Sequence, residues 1–104
     1  MIRYTEEKKF TKEEIQHLFL SVNWVSGKYP DKLYQALIHS STVITAWDDR
    51  KLVGLARALD DSCMLAQVHY VLVDPAYQGQ GIAGRLIELI KERCCFCTVG
   101  LFIL

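Results

Sequence analysis

The tightest constraint on this chain is one uninterrupted segment, Val71-Leu72-Val73-Asp74-Pro75-Ala76-Tyr77-Gln78-Gly79-Gln80-Gly81-Ile82-Ala83-Gly84. An aliphatic strand ends, Asp-Pro breaks it, and small residues lead into an amphipathic helix. That helix turns Ile82, Leu86, Ile87, Leu89 and Ile90 toward a core and Arg85, Glu88, Lys91 and Glu92 away from it. The first N–H groups of a helix have no partner within it, and the helix dipole adds partial positive charge there. Side chains would block a ligand's approach, and Gly79, Gly81, Ala83 and Gly84 remove them. An anion site follows, for phosphate above all. The alternative is a glycine-rich turn that merely lets helix and sheet pack closely.

Around this segment the sequence reads as a single domain, 1–104. A short strand at 2–5 precedes Thr11-Lys12-Glu13-Glu14, a capping box, and a helix over 12–22 with Ile15, Leu18, Phe19 and Val22 on one side. A loop holding Trp24 and Tyr29 leads to a second helix opened by Pro30-Asp31, with Leu33, Tyr34, Leu37 and Ile38 on one face. The period then changes. Strands at 43–47, 52–59 and 63–73 are joined by short Asp-rich turns, which implies an antiparallel meander. A helix from Gly79 to Cys94 and a chargeless strand at 98–104 complete the order β-α-α-β-β-β-α-β. This is an α+β fold with a mixed, mostly antiparallel sheet and one parallel crossover at the end.

Composition removes several functions. Lys+Arg 12 balances Asp+Glu 12, so no broad basic surface exists to neutralise nucleic-acid phosphates, and no nucleic-acid partner is expected. No apolar run approaches the roughly 18–20 residues that span a bilayer, and Met1 to Glu7 is too polar for a signal peptide. The expectation is a cytoplasmic protein with no membrane association. Cys63, Cys94, Cys95 and Cys97 are clustered rather than spread as a disulfide framework would be, and they lack a second pair at zinc-ligand spacing. Reduced thiols and no metal are expected.

Gly79-x-Gly81-x-x-Gly84 satisfies a dinucleotide fingerprint as a bare pattern, but its context fails. Asp74 to Gln78 separate the glycines from the strand, and no Asp or Glu follows Glu92 to hold a ribose. No Gly-Lys-Ser/Thr occurs, which excludes a Walker A loop. Gln78-Gly79-Gln80-Gly81-Ile82-Ala83 instead resembles Gln/Arg-x-x-Gly-x-Gly/Ala, the acetyl-CoA signature of the GNAT N-acetyltransferase superfamily. Val71-Leu72-Val73-Asp74-Pro75, Arg85-Leu86-Ile87 and the element order are similar to the same family, so the resemblance spans essentially the whole chain.

The resemblance implies that acetyl-CoA is the co-substrate. Its pyrophosphate would lie on the backbone of Gln78, Gly79, Gln80, Gly81, Ile82, Ala83 and Gly84, and its pantetheine arm would pair with Val71, Leu72 and Val73. It also implies a bulge that splays the fourth and fifth strands, where an N–H polarises the thioester carbonyl. Acetyl transfer needs a neutral amine, so an ammonium must lose a proton. Family members often place a base, or a residue ordering a base water, at the positions of Gln67 and His69. Strict alternation puts these two on one face with Val71 and Val73, and Ala66, Val68, Tyr70 and Leu72 on the other. A packed sheet histidine is the plain alternative for His69.

Trp24 and Tyr29 are candidates for an acceptor pocket, His17 and His39 for solvated helix positions, and Trp47 for the core. The acceptor is expected to be a small-molecule or peptide amine. The family normally continues past its fifth strand with a helix and hairpin, which often supply the Tyr that protonates the departing thiolate. Neither Tyr70 nor Tyr77 matches that position, and the expectation is a GNAT-like fold truncated after the fifth strand. Its apolar last strand would leave an edge suited to homodimerisation. A non-catalytic CoA-binding or regulatory domain is the competing expectation.

Overall fold

The computed structural model describes residues 1–94 and the backbone of residues 100–103. In order these form β1 (Ile2–Thr5), α1 (Lys12–Ser21), α2 (Pro30–Ile38), β2 (Thr42–Asp48), β3 (Lys51–Asp60), β4 (Leu65–Val73), α3 (Ile82–Arg93) and β5 (Gly100–Ile103). Single 3-10 turns lie at Val25–Lys28 and Pro75–Tyr77. The sheet runs β1-β2-β3-β4-β5, antiparallel throughout except for the parallel pairing of β5 with β4. The α+β order expected from the sequence is the order found. Cys95, Cys97, Thr98, Val99 and Leu104 lie outside the described residues.

Local chemistry sets the boundaries. Thr11 Oγ1 accepts from the Glu14 N–H at 3.1 Å while Glu14 Oε1 accepts from the Thr11 N–H at 2.8 Å, the reciprocal cap read from the sequence. β4 starts at Leu65 rather than 63, because an Asp61 carboxylate oxygen gathers the N–H groups of Cys63, Met64 and Leu65 at 2.9, 2.8 and 3.0 Å. These amides are thereby withdrawn from strand pairing. α3 starts at Ile82 rather than 79, because Gly79 and Gly81 hold φ of +83° and +82°. The left-handed turn ends before the helix can begin.

Helices cover both faces. Ile82, Leu86 and Ile90 of α3 pack on Ile44, Ala46, Val53, Ala56, Ala58, Ala66, Val68 and Val73, with Leu89 at the margin and Ile87 half-buried outside this cluster. On the other face α1 and α2 bring Ile15, Leu18, Phe19, Leu33 and Leu37 against Val43, Trp47, Leu52, Leu55 and Leu72. Trp47 is in the core, as expected, while His17 and His39 are exposed.

Strict alternation along β4 does not survive. Arg57 of β3 pairs with His69, yet the preceding Ala56 pairs with Val71, so Tyr70 is an extra residue with φ of +71°. The bulge reverses the pleat. Ala66 and Val68 face α3 before it, and Val71 and Val73 face α3 after it. Tyr70 and Leu72 therefore join the α1/α2 face, where the Tyr70 ring stacks on His69 at 4.2 Å between centroids. The expected grouping of Gln67 and His69 with Val71 and Val73 is corrected: beyond the bulge His69 shares its face with Tyr70 and Leu72.

Gly54 fixes the depth of α3. A Cβ there would sit 3.1 Å from Ile82 Cγ2 and 3.3 Å from Ala46 Cβ, with core on every side. Gly54→Val should therefore destabilise the fold by about 1–3 kcal/mol, the usual penalty for overpacking. Urea denaturation reads this directly, and a Gly54→Val protein as stable as the parent would disprove the close approach.

Candidate functional site

The segment after β4 is held by a small polar latch. The Asp74 carboxylate accepts from the Ala76 N–H at 2.9 Å and lies 3.6 Å from Lys51 Nζ. Tyr77 donates its hydroxyl to Asp48 at 2.6 Å, with Lys51 Nζ 5.3 Å from its ring centroid. Acceptance by the Asp48 carboxylate pushes the Tyr77 phenol above its ordinary value and keeps it protonated. Its proton is thus committed to Asp48. The turn it secures delivers the chain to Gly79 in one orientation.

Gly81 caps α3 in the left-handed conformation, without a side-chain hydrogen bond. The chain offers the N–H groups of Ile82, Ala83 and Gly84 no partner among the described residues, and the Arg85 N–H is the first to close a turn, onto the Gly81 carbonyl at 3.1 Å. No acid occupies the first turn, whereas α1 has Glu13 and Glu14 there and α2 has Asp31. Two helices of this protein neutralise their positive ends with carboxylates; α3 leaves its end bare. A Cβ at Gly79, Gly81 or Gly84 would meet nothing within 4 Å, so these glycines border open space rather than tight packing.

The edge of β4 offers complementary groups. The Asp74 N–H donates to the Val53 carbonyl at 2.8 Å, so the other end of that peptide, the Val73 carbonyl, points away from β3. There it accepts from Gln78 Nε2 at 3.0 Å. By the same alternation the main-chain groups of Val71 and the N–H of Val73 point away from β3; among the described residues β5 pairs with Leu65 to Val68. A cleft of about 370 Å³ lies here, lined by Val22, Trp24, Val71, Leu72, Val73, Tyr77, Gln78, Gly79, Gly81, Ile82, Ala83 and Gly84. Every phosphate- and arm-binding residue singled out from the sequence except Gln80 lies on this one wall, although the Gln78 side chain is spent on the Val73 carbonyl.

The acceptor candidates divide between two clefts. Trp24 lines the first, and exposed Tyr29 lines a second of about 290 Å³ with Ser26, Lys32, Leu33, Ala36 and Tyr70. The Tyr70 ring stands between them, 5.4 Å from Trp24 and 5.0 Å edge-on from Phe19, and its hydroxyl bonds Ser26 Oγ at 2.8 Å. These contacts hold a non-glycine residue at positive φ, a conformation that persists only when its surroundings determine it.

Arg57 is the residue that sequence reading missed. It is the lone charge in the apolar run Leu52 to Leu59, and that pattern was the available signal. Its side chain is buried, Nη2 lies 2.8 Å from His69 Nδ1, and the guanidinium carbon lies 4.7 Å from the Tyr70 centroid. Arginine only donates, so His69 Nδ1 is the acceptor and the neutral ring carries its proton on Nε2. Desolvation, with the Arg57 charge second, pushes the His69 pKa below its ordinary 6.5. Gln67 sits one pleat earlier on the His69 face, paired with Leu59.

In this α+β fold a bare helix start and the end of β4 line one cleft. The family is given by comparison with known proteins. The sequence matches the profile described as "Acetyltransferase (GNAT) domain" over residues 6–103, and the chain belongs to that family. It is similar to the Arabidopsis thaliana protein named "GCN5-related N-acetyltransferase 2, chloroplastic", 50% identical over 52 residues that make up 50% of this chain and 20% of that protein. The fold matches a GNAT-family acetyltransferase from Streptococcus pneumoniae TIGR4 with a TM-score of 0.85 and 28% identity, covering 100% of this chain and 75% of that one. It also matches an aminoglycoside 6'-N-acetyltransferase complexed with coenzyme A, with a TM-score of 0.76 and 16% identity, covering 89% and 55% of the two chains. The matches span between 20% and 62% of the length of the curated relatives. No helix among the described residues is long and apolar enough to cross a membrane.

Because the folded-state pKa of His69 lies below 6.5, its neutral form contributes stability that is present above 6.5 and lost as pH falls toward the folded value. The wild-type melting temperature should fall more steeply between about pH 7 and pH 5 than that of His69→Gln, whose amide oxygen accepts from Arg57 without titrating. Superimposable pH profiles would show that folding does not lower the His69 pKa.

Proposed function

We propose that this domain binds acetyl-CoA and transfers its acetyl group to a primary amine by direct attack in a ternary complex. The observation that carries the reading is the union, in one cleft, of the bare N-terminus of α3 with the β4 backbone at Val71 to Val73. Family membership supports it, as does the solved relative that holds coenzyme A.

The residues present fit a nucleotide thioester. The backbone of Gly79 to Gly84, Gln80 included, is open to a pyrophosphate, with the dipole of α3 favouring negative charge. Val71, Leu72 and Val73 offer a strand edge for an amide-bearing arm. Gln78 supports that edge by holding the Val73 carbonyl. When bound, the thioester supplies an activated acetyl group. An N–H of this part of β4 would be the group offered to charge on its carbonyl oxygen.

Trp24 and Tyr29 form the acceptor side of this reading, with Tyr70 between their clefts. Gln67 and His69 order a water through which the ammonium proton leaves to bulk solvent, rather than receive it on the imidazole. The Nδ1 lone pair of His69 already accepts from Arg57, and its Nε2 carries a proton. That occupied lone pair is also the observation favouring the second reading, a CoA-binding or regulatory domain without turnover. β5 lies at the edge of the sheet, and pairing with a second copy through it belongs to the same proposal; light scattering that finds only monomer removes this part. The reading needs an aqueous compartment that supplies acetyl-CoA, the cytoplasm first; a plastid is the alternative, from the name of the plant relative.

Calorimetry with acetyl-CoA, followed by free-thiol release with a panel of primary amines, separates the readings. Binding with amine-dependent thiol release is expected, and binding without it supports the regulatory domain. Absence of binding overturns both.

Gly84→Glu isolates the phosphate contact, because Gly84 has ordinary helical geometry and open space where Gly81 has a left-handed φ. A glutamate in the first turn should raise stability by about 1 kcal/mol through helix propensity and the dipole. The same carboxylate should weaken coenzyme A binding about tenfold or more, by charge repulsion at the pyrophosphate. A more stable protein with unchanged affinity would refute the assigned cradle.

A further inference from the structure

The two aromatic residues between α1 and α2 do not share a cleft. Trp24 lines the 370 Å³ cleft together with Val71, Leu72 and the glycines at the start of α3, whereas Tyr29 lines the other. The first cleft has two ends. The start of α3 lies level with Val73, because Gly54 pairs with Val73 and a Cβ on Gly54 would sit 3.1 Å from Ile82 Cγ2. Trp24 lies toward the other side of Val71, its ring 5.4 Å from that of Tyr70, the residue before Val71. That ring is braced, since fully buried Phe19 meets it edge-on at 5.8 Å. Its main chain is fixed as well. The Trp24 N–H donates to the Phe19 carbonyl at 3.1 Å, and the Trp24 carbonyl accepts from the Gly27 N–H at 3.0 Å. A residue held by both its ring and its backbone is a wall and not a lid.

We propose that Trp24 is the specificity-determining residue for the acyl group, stopping the donor's chain at acetyl and excluding longer acyl thioesters. This deepens the acetyl-CoA reading and rests on it. With the pyrophosphate at the start of α3 and the arm running from Val73 to Val71, the thioester is carried toward the Trp24 ring. Val22, two residues before Trp24, and Leu72 line the same cleft, so an acetyl methyl meets apolar surface there. Each further methylene must displace a ring that Phe19 and Tyr70 hold, or bend out of the cleft. Packing this close resists added volume. Trp24 thus borders the acceptor side and closes the donor side.

The test measures binding of acetyl-, propionyl-, butyryl- and hexanoyl-CoA by calorimetry, without any amine and with free coenzyme A as the reference. In the wild-type protein butyryl-CoA should bind about ten- to a hundredfold more weakly than acetyl-CoA. Trp24→Ala should remove this gap, so that butyryl-CoA binds at least as tightly as acetyl-CoA. Trp24→Phe, with a smaller ring, should admit propionyl-CoA and still reject hexanoyl-CoA. Dividing each Kd by that of free coenzyme A cancels any effect of the substitutions on the nucleotide and the arm. Equal binding of acetyl- and butyryl-CoA by the wild-type protein, or a gap that survives in Trp24→Ala, would overturn the proposal.

With an amine that is acetylated, kcat/KM for the four thioesters should follow the same order in each protein. If no amine is acetylated, the transferase reading fails, yet the Kd ratios still decide the role of Trp24. If no thioester binds at all, both fall. Melting curves guard against misfolding. Trp24→Phe keeps a ring against Phe19 and Tyr70 and should fold, so it decides the matter if Trp24→Ala does not. A ratio of propionyl- to acetyl-CoA affinity in Trp24→Phe that equals the wild-type ratio would then defeat the proposal.

Discussion

The site depends on a single extra residue in β4. Tyr70, at φ of +71°, breaks the alternation of the strand and does two things at once. It returns Val71 and Val73 to the α3 side, so the strand re-enters the core beside the bare helix start. It also places three side chains with distinct chemistry, those of Gln67, His69 and Tyr70, on the α1/α2 side. The cost of a non-glycine residue in the left-handed region, of order 1–3 kcal/mol, is offset by ring contacts to Phe19, Trp24, His69 and Arg57 and by the Ser26 hydroxyl.

Those contacts explain which parts of the protein could be read from residue order. The capping box at Thr11, Pro30 at the start of α2 and the apolar stripe of α3 are local signals, and each element appeared where local chemistry put it. The glycines announced the bare helix start because backbone freedom and missing Cβ atoms are properties of the residue itself. Their exact effect on the start of α3 needed the φ values, since glycine permits a left-handed turn without requiring one. The bulge was expected only from the family resemblance, and its place at Tyr70 was not legible in the residues, for the opposite reason. Tyrosine has no preference for positive φ, and what holds it there comes from α1, the 3-10 turn and β3, all distant in sequence. The face assignment of Val71 and Val73 failed at that residue, while Gln67 and His69, before it, kept the face that alternation gave them. Arg57 was a readable anomaly, a charge inside an apolar strand, whose significance depended on a partner twelve residues away.

Electrostatics differ on the two faces of the sheet. On the α3 side the positive potential is diffuse, made of amide dipoles at a helix start without an acidic residue. On the α1/α2 side it is concentrated in one guanidinium under an aromatic ring. The latch of Asp74, Tyr77, Asp48 and Lys51 serves the first region by fixing the angle at which the chain approaches Gly79.

The state of His69 follows from this division and limits the chemistry. With Arg57 donating to Nδ1, a proton taken from an ammonium would have to enter a ring already carrying one on Nε2, next to a fixed positive charge. Both desolvation and the neighbouring guanidinium oppose that imidazolium. The ring is better suited to donate from Nε2 to a water or to an acceptor lone pair than to act as a proton sink.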